Sequence, residues 1–172
     1  MKRIDIKALF SAPPADGTVV TVCGWAKTVR DSKNIGFIEL SDGTVITGKT
    51  GPLLGATASA LINALKYLAG IPQETDLVSA AAIEPIQTLK TNYLGSKNPR
   101  LHTDEILIAL SSSAAQNPTA AAALKQLSHL KGCDMHSTVI LSSVDMDTVK
   151  KLGMYLTCEP AYEEADRMYH KK

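Results

Sequence analysis

Apolar and polar residues alternate most regularly in residues 36–50, on both sides of Asp42-Gly43. Alternation with a period of two is typical of half-buried strands, and Asp-Gly favours a tight turn because both residues tolerate positive φ. We therefore predict a β-hairpin, with Ile38 and Leu40 on one face and Phe37 on the other. The hairpin marks a change of pattern, because β-formers dominate the chain before it and helical spacing dominates the chain after it.

Beyond the hairpin, apolar residues recur at three- and four-residue spacing between glycine and proline stop signals, which predicts a series of helices. Pro85 is expected to open the second helix and Thr103 to cap the third, whose residues 106–115 are apolar nearly all round and should be buried. The predicted helices are 54–68, 85–94, 103–115, 120–130 and 145–152, and the predicted strands are 77–78, 137–142 and 154–157. This order predicts an α/β fold, with one mixed sheet covered by helices and 137–142 as its central strand.

The composition narrows the class of protein. The chain has 172 residues, 45% of them apolar, and this length and apolar content are enough for one packed domain with a short appendage. Its net charge is +1. A net charge this small creates no overall field towards nucleic acid or a membrane, so RNA binding would need a local patch. Three cysteines at irregular spacing fit a reducing cytoplasm, and the apolar stretches are too short for a membrane span.

Residues 20–43 carry the pattern Val-x-Val-x-Gly-Trp-x-x-Thr-x-Arg-Asp-Ser-Lys-x-x-Gly-Phe-Ile-Glu-Leu-x-Asp-Gly. This pattern closely resembles the N-terminal anticodon-binding OB-fold domain of asparaginyl-tRNA synthetase, over about residues 1–44. The resemblance implies that Arg30 contacts nucleotides and that Phe37 stacks on a base. With Lys33, these residues form the hypothesis of an RNA-binding module. Ligase activity is not implied, because nothing downstream resembles the synthetase catalytic domain.

The remainder of the chain, from Asp42 to about Tyr162, closely resembles the C-terminal part of an uncharacterised bacterial family, domain-of-unknown-function family 1846. The resemblance rests on the segments 45–50, 53–56, 83–86, 94–105 and 136–142. It implies a three-layer sandwich like that of the cytidine deaminases, without an established activity. The full-length members carry a large additional N-terminal domain.

The two resemblances predict a fusion of two fragments at the hairpin. Residues 1–40 would be truncated OB-fold strands, 41–162 the α/β subdomain and 163–172 a charged tail. A borrowed strand can replace a native one if it keeps the alternation and the turn, which together set strand register. Residues 1–26 are expected to add an edge strand beside Phe37, which would extend the hairpin to three strands.

The segment Gly43-x4-Gly48-Lys49-Thr50 matches the phosphate-loop motif literally. The motif needs a flexible loop whose backbone amides surround phosphates, whereas the four residues 44–47 are all β-branched and favour a strand. We therefore favour a strand here. Lys49, close to a helix start, could still bind an anion.

Arg100, His102, Asp104 and Glu105 form the densest polar group. They suit a general acid–base or anion site, or simply the charged start of a capped helix. The second of these interpretations is favoured because no nucleophile lies at a defined spacing. The hypothesis of nucleotide or phosphate binding therefore uses six residues as its site: Lys49, Thr50, Asn98, Arg100, His102 and Asp104.

Cys133, His136 and His129 lie close in sequence without the spacing of a zinc site, and the deaminase motifs His-x-Glu and Pro-Cys-x-x-Cys do not occur. We therefore expect no metal, no cofactor and no catalytic residue. The leading interpretation is a non-enzymatic cytoplasmic α/β domain. A homo-oligomer and a weak tRNA contact are the partners that the sequence leaves open, and a membrane is not among them.

Overall fold

A computed structural model describes residues 11–20 and 34–161. The chain divides into two compact units, Met1–Asp31 and Ser32–Lys172. In the first unit, the described segment is exposed and contains a turn in which Thr18 N donates to Ala15 O at 3.1 Å. The architecture below is that of the second unit.

Four strands form one mixed sheet in the order β2-β1-β3-β4. They are β1 (Ile35–Glu39), β2 (Val45–Lys49), β3 (Asp134–Ser137) and β4 (Tyr155–Cys158). β1 pairs antiparallel with β2 and with β3, whereas β3 and β4 are parallel. The predicted α/β fold with a mixed sheet is confirmed, and the arrangement is consistent with the predicted three-layer sandwich.

Five α-helices accompany the sheet in the described part of the chain. They are α1 (Ala56–Leu68), α2 (Ala80–Thr88), α3 (Thr103–Ala114), α4 (Pro118–Leu124) and α5 (Ser143–Lys151). α2 continues into a π-helical turn (Leu89–Tyr93), and α4 into a 3₁₀ helix (Lys125–Leu130). None of these helices is long and apolar enough to cross a membrane.

The predicted hairpin is confirmed, including its turn. Gly43 has a φ of +82°, and its N–H donates to Leu40 O at 2.8 Å, while Asp42 Oδ1 accepts from Thr44 N at 2.9 Å. Ile38 is fully buried on the face towards α1, and Phe37 lies half-buried on the opposite face. The alternation of residues 36–50 therefore predicted both the element and its faces.

The predicted edge strand beside Phe37 is wrong. β1 is an interior strand, and Phe37 pairs with Thr47 of β2 on one side and with His136 of β3 on the other. Both hydrogen-bonding edges of β1 are therefore occupied by strands of the second unit. Residues 1–10 and 21–26, on which the prediction also rests, lie outside the described residues.

Two glycines allow α1 to lie directly against the hairpin. A Cβ added at Gly48 would overlap the backbone of Ala60, and one added at Gly36 would lie 2.9 Å from Ala56 O. Ala60 is itself fully buried. The glycine of the phosphate-loop pattern therefore serves close strand–helix packing, and residues 45–49 form a strand as favoured from the sequence.

One continuous core fills the space between the sheet and the helices. Its largest fully buried members come from β1, α1, the loop before α3, α3, the 3₁₀ helix, β3 and α5: Ile38, Leu61, Leu65, Leu101, Ile106, Leu110, Leu130, Met135 and Val149. A buried set of this size is what holds a domain of this length together.

Two of the predicted strands are wrong. Leu77 and Val78 are buried in the core, but they belong to a loop and pair with no β-strand that the structure describes. The central strand lies at Asp134–Ser137, before the predicted 137–142. The buried Ser137 turns the chain out of the sheet, since its Oγ donates to Val139 O at 2.8 Å and accepts from Val139 N at 3.3 Å.

Details of the helix predictions also need correction. Ser79 is the N-cap of α2 and its Oγ accepts from Ala82 N at 3.3 Å, so Pro85 lies inside the helix instead of opening it. α3 has His102 as its N-cap, one residue before the predicted cap at Thr103. It is not buried all round, since Ile108 is 68% exposed.

Candidate functional site

Two loops that are distant in sequence meet at the start of α3. Leu54 and Leu101 form a parallel β-bridge, and Leu101 N donates to Leu53 O at 2.9 Å. In the same region, Arg100 Nε donates to Gly51 O at 3.1 Å. The structure therefore brings the loop that follows β2 beside the predicted polar group at residues 100–105.

His102 occupies the centre of this region as the N-cap of α3. Its Nδ1 lies 3.0 Å from Asp145 Oδ2 and 3.3 Å from Ser142 Oγ. Since a carboxylate only accepts hydrogen bonds, Nδ1 carries a proton that it donates to Asp145. The aspartate thereby fixes the tautomer and the orientation of the imidazole ring.

Asp145 receives hydrogen bonds from the first turns of two helices. One carboxylate oxygen accepts from Thr103 N at 2.8 Å and from Thr103 Oγ1 at 2.9 Å. The other accepts from Ser142 Oγ at 2.7 Å in addition to the imidazole. The partial positive charge at the N-termini of α3 and α5 favours an anion at this position.

The pKa shifts of the two groups follow from this arrangement. The hydrogen bond to Asp145 raises the pKa of His102 above its usual 6.5, in spite of burial, which lowers it. Burial alone would raise the pKa of Asp145, but the hydrogen bonds from His102, Thr103 N and Ser142 outweigh it and keep that pKa below 3.8. The two groups are therefore charged together over a wider pH range than if they were apart.

The second ring nitrogen of His102, Nε2, is not used in the contact with Asp145. The His102 side chain is 18% exposed, and Nε2 makes no hydrogen bond to the residues that the structure describes. Ser142 Oγ approaches the same nitrogen as Asp145, so the three residues do not have the geometry of a Ser-His-Asp triad, which needs serine at Nε2. The imidazole can donate from Nε2 when protonated and accept there when neutral.

Glu105 supports His102 from the backbone side. Its Oε2 accepts from His102 N at 2.7 Å and from Lys90 Nζ at 2.7 Å. Lys90, which is buried, also donates to Arg100 O at 2.6 Å. The ion pair between Lys90 of the π-helical turn and Glu105 of α3 thus fixes the loop that precedes His102 in the chain.

The sequence did not identify three residues of this cluster: Lys90, Ser142 and Asp145. Ser142 and Asp145 have the spacing of a capping box, and Ser142 Oγ accepts from Asp145 N at 3.0 Å. That pattern predicts a helix start. It carries no information that Asp145 also contacts His102, 43 residues earlier in the chain.

The other residues of the predicted anion site lie in different parts of the structure. Asn98 shapes the loop, since its Oδ1 accepts from Arg100 N at 3.1 Å. Asp104 Oδ1 accepts from Glu105 N at 2.8 Å at the start of α3, which agrees with the capped-helix interpretation. Thr50 follows β2 in the loop that meets Arg100. Lys49 lines a separate cavity.

The predicted nucleic-acid residues are described only in part. Phe37 lies on the sheet face opposite α1, with its ring 6.2 Å from that of His136, while Arg30 and Lys33 lie outside the described residues. Among the described residues, no group of three or more His, Cys, Asp or Glu side chains is arranged to hold a metal ion. Cys133 is buried and its thiol lies 3.5 Å from His129 O.

Comparison with known proteins places the chain in a family. Residues 16–169 match the family described as "Domain of unknown function DUF1846, C-terminal". The chain belongs to this family. The resemblance inferred from residues 42–162 is thereby confirmed.

Similar proteins occur in several bacteria. A "UPF0371 protein" of Corynebacterium aurimucosum is 56% identical over 135 residues, which is 78% of this chain and 27% of that protein. A UPF0371 protein of Corynebacterium urealyticum is 60% identical over 125 residues, covering 73% of this chain and 25% of the relative. One of Streptococcus thermophilus is 47% identical over 158 residues, covering 92% of this chain and 32% of the relative. The chain thus spans about a quarter to a third of the length of these relatives.

These similarities give no support to a fusion with a synthetase fragment. The family match begins at residue 16, and the Streptococcus thermophilus relative covers 92% of the chain. The DUF1846 family therefore extends across most of the segment, about residues 1–44, whose motif resembles the synthetase OB-fold.

Proposed function

We propose that this DUF1846 domain binds a phosphate-bearing ligand through Nε2 of His102. The observation that carries the proposal is the 3.0 Å pair between His102 Nδ1 and Asp145 Oδ2, which leaves Nε2 as the second donor of an oriented imidazolium. The pKa of His102 is raised by that hydrogen bond, so a larger fraction of the rings is protonated near neutral pH. A protonated Nε2 is a charge-assisted donor to a phosphate oxygen.

The surrounding charges are compatible with an anion. Asp145 is paired with His102, and Glu105 is paired with Lys90 at 2.7 Å, so neither carboxylate of these pairs is left to repel the ligand. Preorganisation of the ring by Asp145 also reduces the entropy that binding would otherwise cost. We assign no catalytic step, because no nucleophile of the described residues contacts Nε2.

The test is an NMR titration of the histidine side chains with inorganic phosphate and with a nucleoside monophosphate. We expect a saturable shift of the His102 ring signals and a rise in the pKa of His102, because the anion favours the protonated ring. The signals of His136, which lies on the sheet, serve as the internal reference. A His102 signal that stays constant while phosphate is added would leave the His102–Asp145 pair as a link between two helices only.

Two variants control this experiment. His102→Gln keeps a polar side chain at the N-cap but removes the imidazolium, so phosphate should no longer shift the amides of Thr103 and Glu105. His136→Gln removes an imidazole of the sheet surface that is 42% exposed, and phosphate should still shift the His102 signals. Equal phosphate responses in the two variants would contradict the assignment to His102.

RNA binding at Phe37 is the second candidate function. The tilted contact between Phe37 and His136 places two rings side by side on one sheet face, which is the kind of surface on which bases stack. The exposed carboxylates Glu39 and Asp134, at the ends of the same strands, oppose a polyanion. We therefore rank this function below phosphate binding.

A gel shift with tRNA at about 50 and 200 mM salt separates the two functions, because phosphate contacts to RNA weaken steeply with salt. A salt-sensitive shift that Phe37→Ala abolishes would favour RNA binding and the OB-fold relationship. The absence of such a shift would exclude both RNA binding at Phe37 and the OB-fold relationship. The cytoplasmic location and the homo-oligomer remain predictions.

A further inference from the structure

A cavity of about 290 Å³ lies at the end of β2, between α1, the loop after α1, α2 and α3. Most of its wall is apolar. The apolar side chains include Leu54, Leu77, Val78, Ile83 and Ile106. Concave sites of this kind, with a few polar groups on an apolar wall, are where proteins bind small molecules.

Lys66 of α1 is the unusual member of the wall, because it is only 7% exposed. Its Nζ donates to Gln73 O at 2.8 Å, and no carboxylate of the described residues lies within 4.0 Å of it. An ammonium has three donors, of which this contact uses one. Burial lowers the pKa of Lys66, against the opposing attraction of Asp76 and Glu74, as expected for a cation without a close counter-charge.

The other polar groups of the wall set the charge that a ligand would meet. Lys49 and Lys66 are positive and Asp76 is negative, so these three residues carry a net charge of +1. Ser59 and Asn63 are neutral, and Asn63 Nδ2 already donates to Thr47 O at 2.9 Å. A ligand with one negative charge matches this wall, whereas a dianion would be repelled by Asp76.

We infer that the cavity binds a small monocarboxylic acid with an apolar body. The carboxylate accepts a hydrogen bond from Lys66 Nζ and so provides the counter-charge that the buried ammonium lacks. The apolar body packs against Leu54, Ile83 and Ile106, and Lys49 stands at the exposed end of the wall. This site is separate from His102, which does not line the cavity.

Isothermal titration calorimetry of the 172-residue protein with benzoate and hexanoate tests the inference, with benzyl alcohol and hexanol as uncharged analogues. We expect the acids to bind more tightly than the alcohols by about ten- to a hundredfold, the value of one charge-assisted hydrogen bond. Phenyl phosphate should bind more weakly than benzoate. Equal affinity of acid and alcohol, or no binding of either acid, would overturn the inference.

The variant Lys66→Met replaces the lysine by an unbranched apolar side chain of similar length and so removes only the ammonium. It should lose the same ten- to hundredfold in affinity for benzoate, while Lys150→Met, which changes an exposed lysine of α5, should not. If Lys66→Met does not fold, benzoate-induced shifts of the methyl groups of Ile83 and Ile106 in the unchanged protein decide the matter. Shifts elsewhere, with these methyl groups constant, would count against the cavity.

His102→Gln distinguishes this site from the phosphate site. It should leave benzoate binding unchanged, since His102 contributes no atom to the cavity wall. Loss of phosphate binding alone would leave the inference intact, and loss of benzoate binding in His102→Gln would contradict it.

Discussion

At the scale of single residues, the carboxylate of Asp145 both links two helices and orients an imidazole ring. It accepts four hydrogen bonds, two from Thr103, one from Ser142 and one from His102. It thereby joins the N-terminus of α3 to that of α5 and orients the imidazole. A buried group with this many donors is costly to change, because each donor would lose its acceptor.

We expect Asp145→Ala to lower the free energy of unfolding by about 3–5 kcal/mol, the range found when one partner of a buried ion pair is removed. Urea denaturation followed by circular dichroism measures the change. Asp147→Ala, in the same helix but exposed, should change the free energy by about 0.5 kcal/mol or less. A similar effect of the two substitutions would show that the hydrogen bonds of Asp145 contribute little to stability.

The His102–Asp145 pair also predicts a pH dependence. Because the pKa of folded His102 is raised above 6.5, the folded state binds the proton more tightly than the unfolded chain does. This stabilisation is fully present below pH 6.5 and is lost as the pH rises through the higher pKa of the folded state. The difference in unfolding free energy between the protein and His102→Gln should therefore shrink from pH 6 to pH 8.

Urea midpoints across this pH series measure the effect, with His136→Gln as the control on the sheet surface. On the acid side, the lowered pKa of Asp145 gives a contribution that is present above pH 3.8 and lost as the pH falls through the pKa of the folded state. A difference between protein and His102→Gln that grows from pH 6 to pH 8 would contradict the raised pKa of His102.

The sequence could predict only half of this site. His102, Asp104 and Glu105 stand out as a polar group at a helix start, and a local pattern is enough to find them. Asp145 lies 43 residues away and is recognisable in the sequence only as part of a helix start. The contact depends on how α3 and α5 pack, and nothing local encodes that.

At the scale of elements, the close contact between the hairpin and α1 depends on the absence of side chains at Gly36 and Gly48. Gly48 occupies a strand, where glycine is otherwise unfavourable. The approach of α1 accounts for it, since a Cβ would overlap Ala60. Strand and helix can then share the buried surface that includes Ile38 and Leu65.

We expect Gly48→Ala to destabilise the protein by an amount at the upper end of about 1–3 kcal/mol, because the backbone of Ala60 cannot move aside as a flexible side chain could. Thermal unfolding measures it. Gly51→Ala is the matched control, since a Cβ at Gly51 would meet nothing within 4 Å. A Gly48→Ala protein as stable as the control would mean that α1 is free to move away from the sheet.

The same element shows where sequence patterns succeed. The hairpin is local, so alternation and an Asp-Gly turn were sufficient to predict its strands and its faces.

The end of β3 was predicted wrongly, because Ser137 turns the chain through contacts with Val139 that hydrophobicity does not indicate. Pro85 was predicted to open α2, whereas the helix is capped by Ser79, six residues before the proline.

At the scale of the whole molecule, the sheet lies within the second unit. β1 finds both of its neighbours, β2 and β3, within Ser32–Lys172. The buried residues of the core cluster run from Ile38 to Met154. The family match nevertheless begins at residue 16, inside the first unit. Whether residues 1–31 contribute to stability is therefore a question that an experiment can answer directly.

We expect a chain that begins at Ser32 to unfold cooperatively, with a free energy of unfolding within about 1 kcal/mol of the 172-residue protein. For a domain of this size that corresponds to about 2–4 °C in melting temperature. The reason is that the core residues described for the second unit pack on one another. Calorimetry of the two chains, with benzoate binding as a second measurement, checks this. A non-cooperative transition in the shorter chain would show that the first 31 residues complete the fold, and the division at Asp31 would then have no thermodynamic meaning.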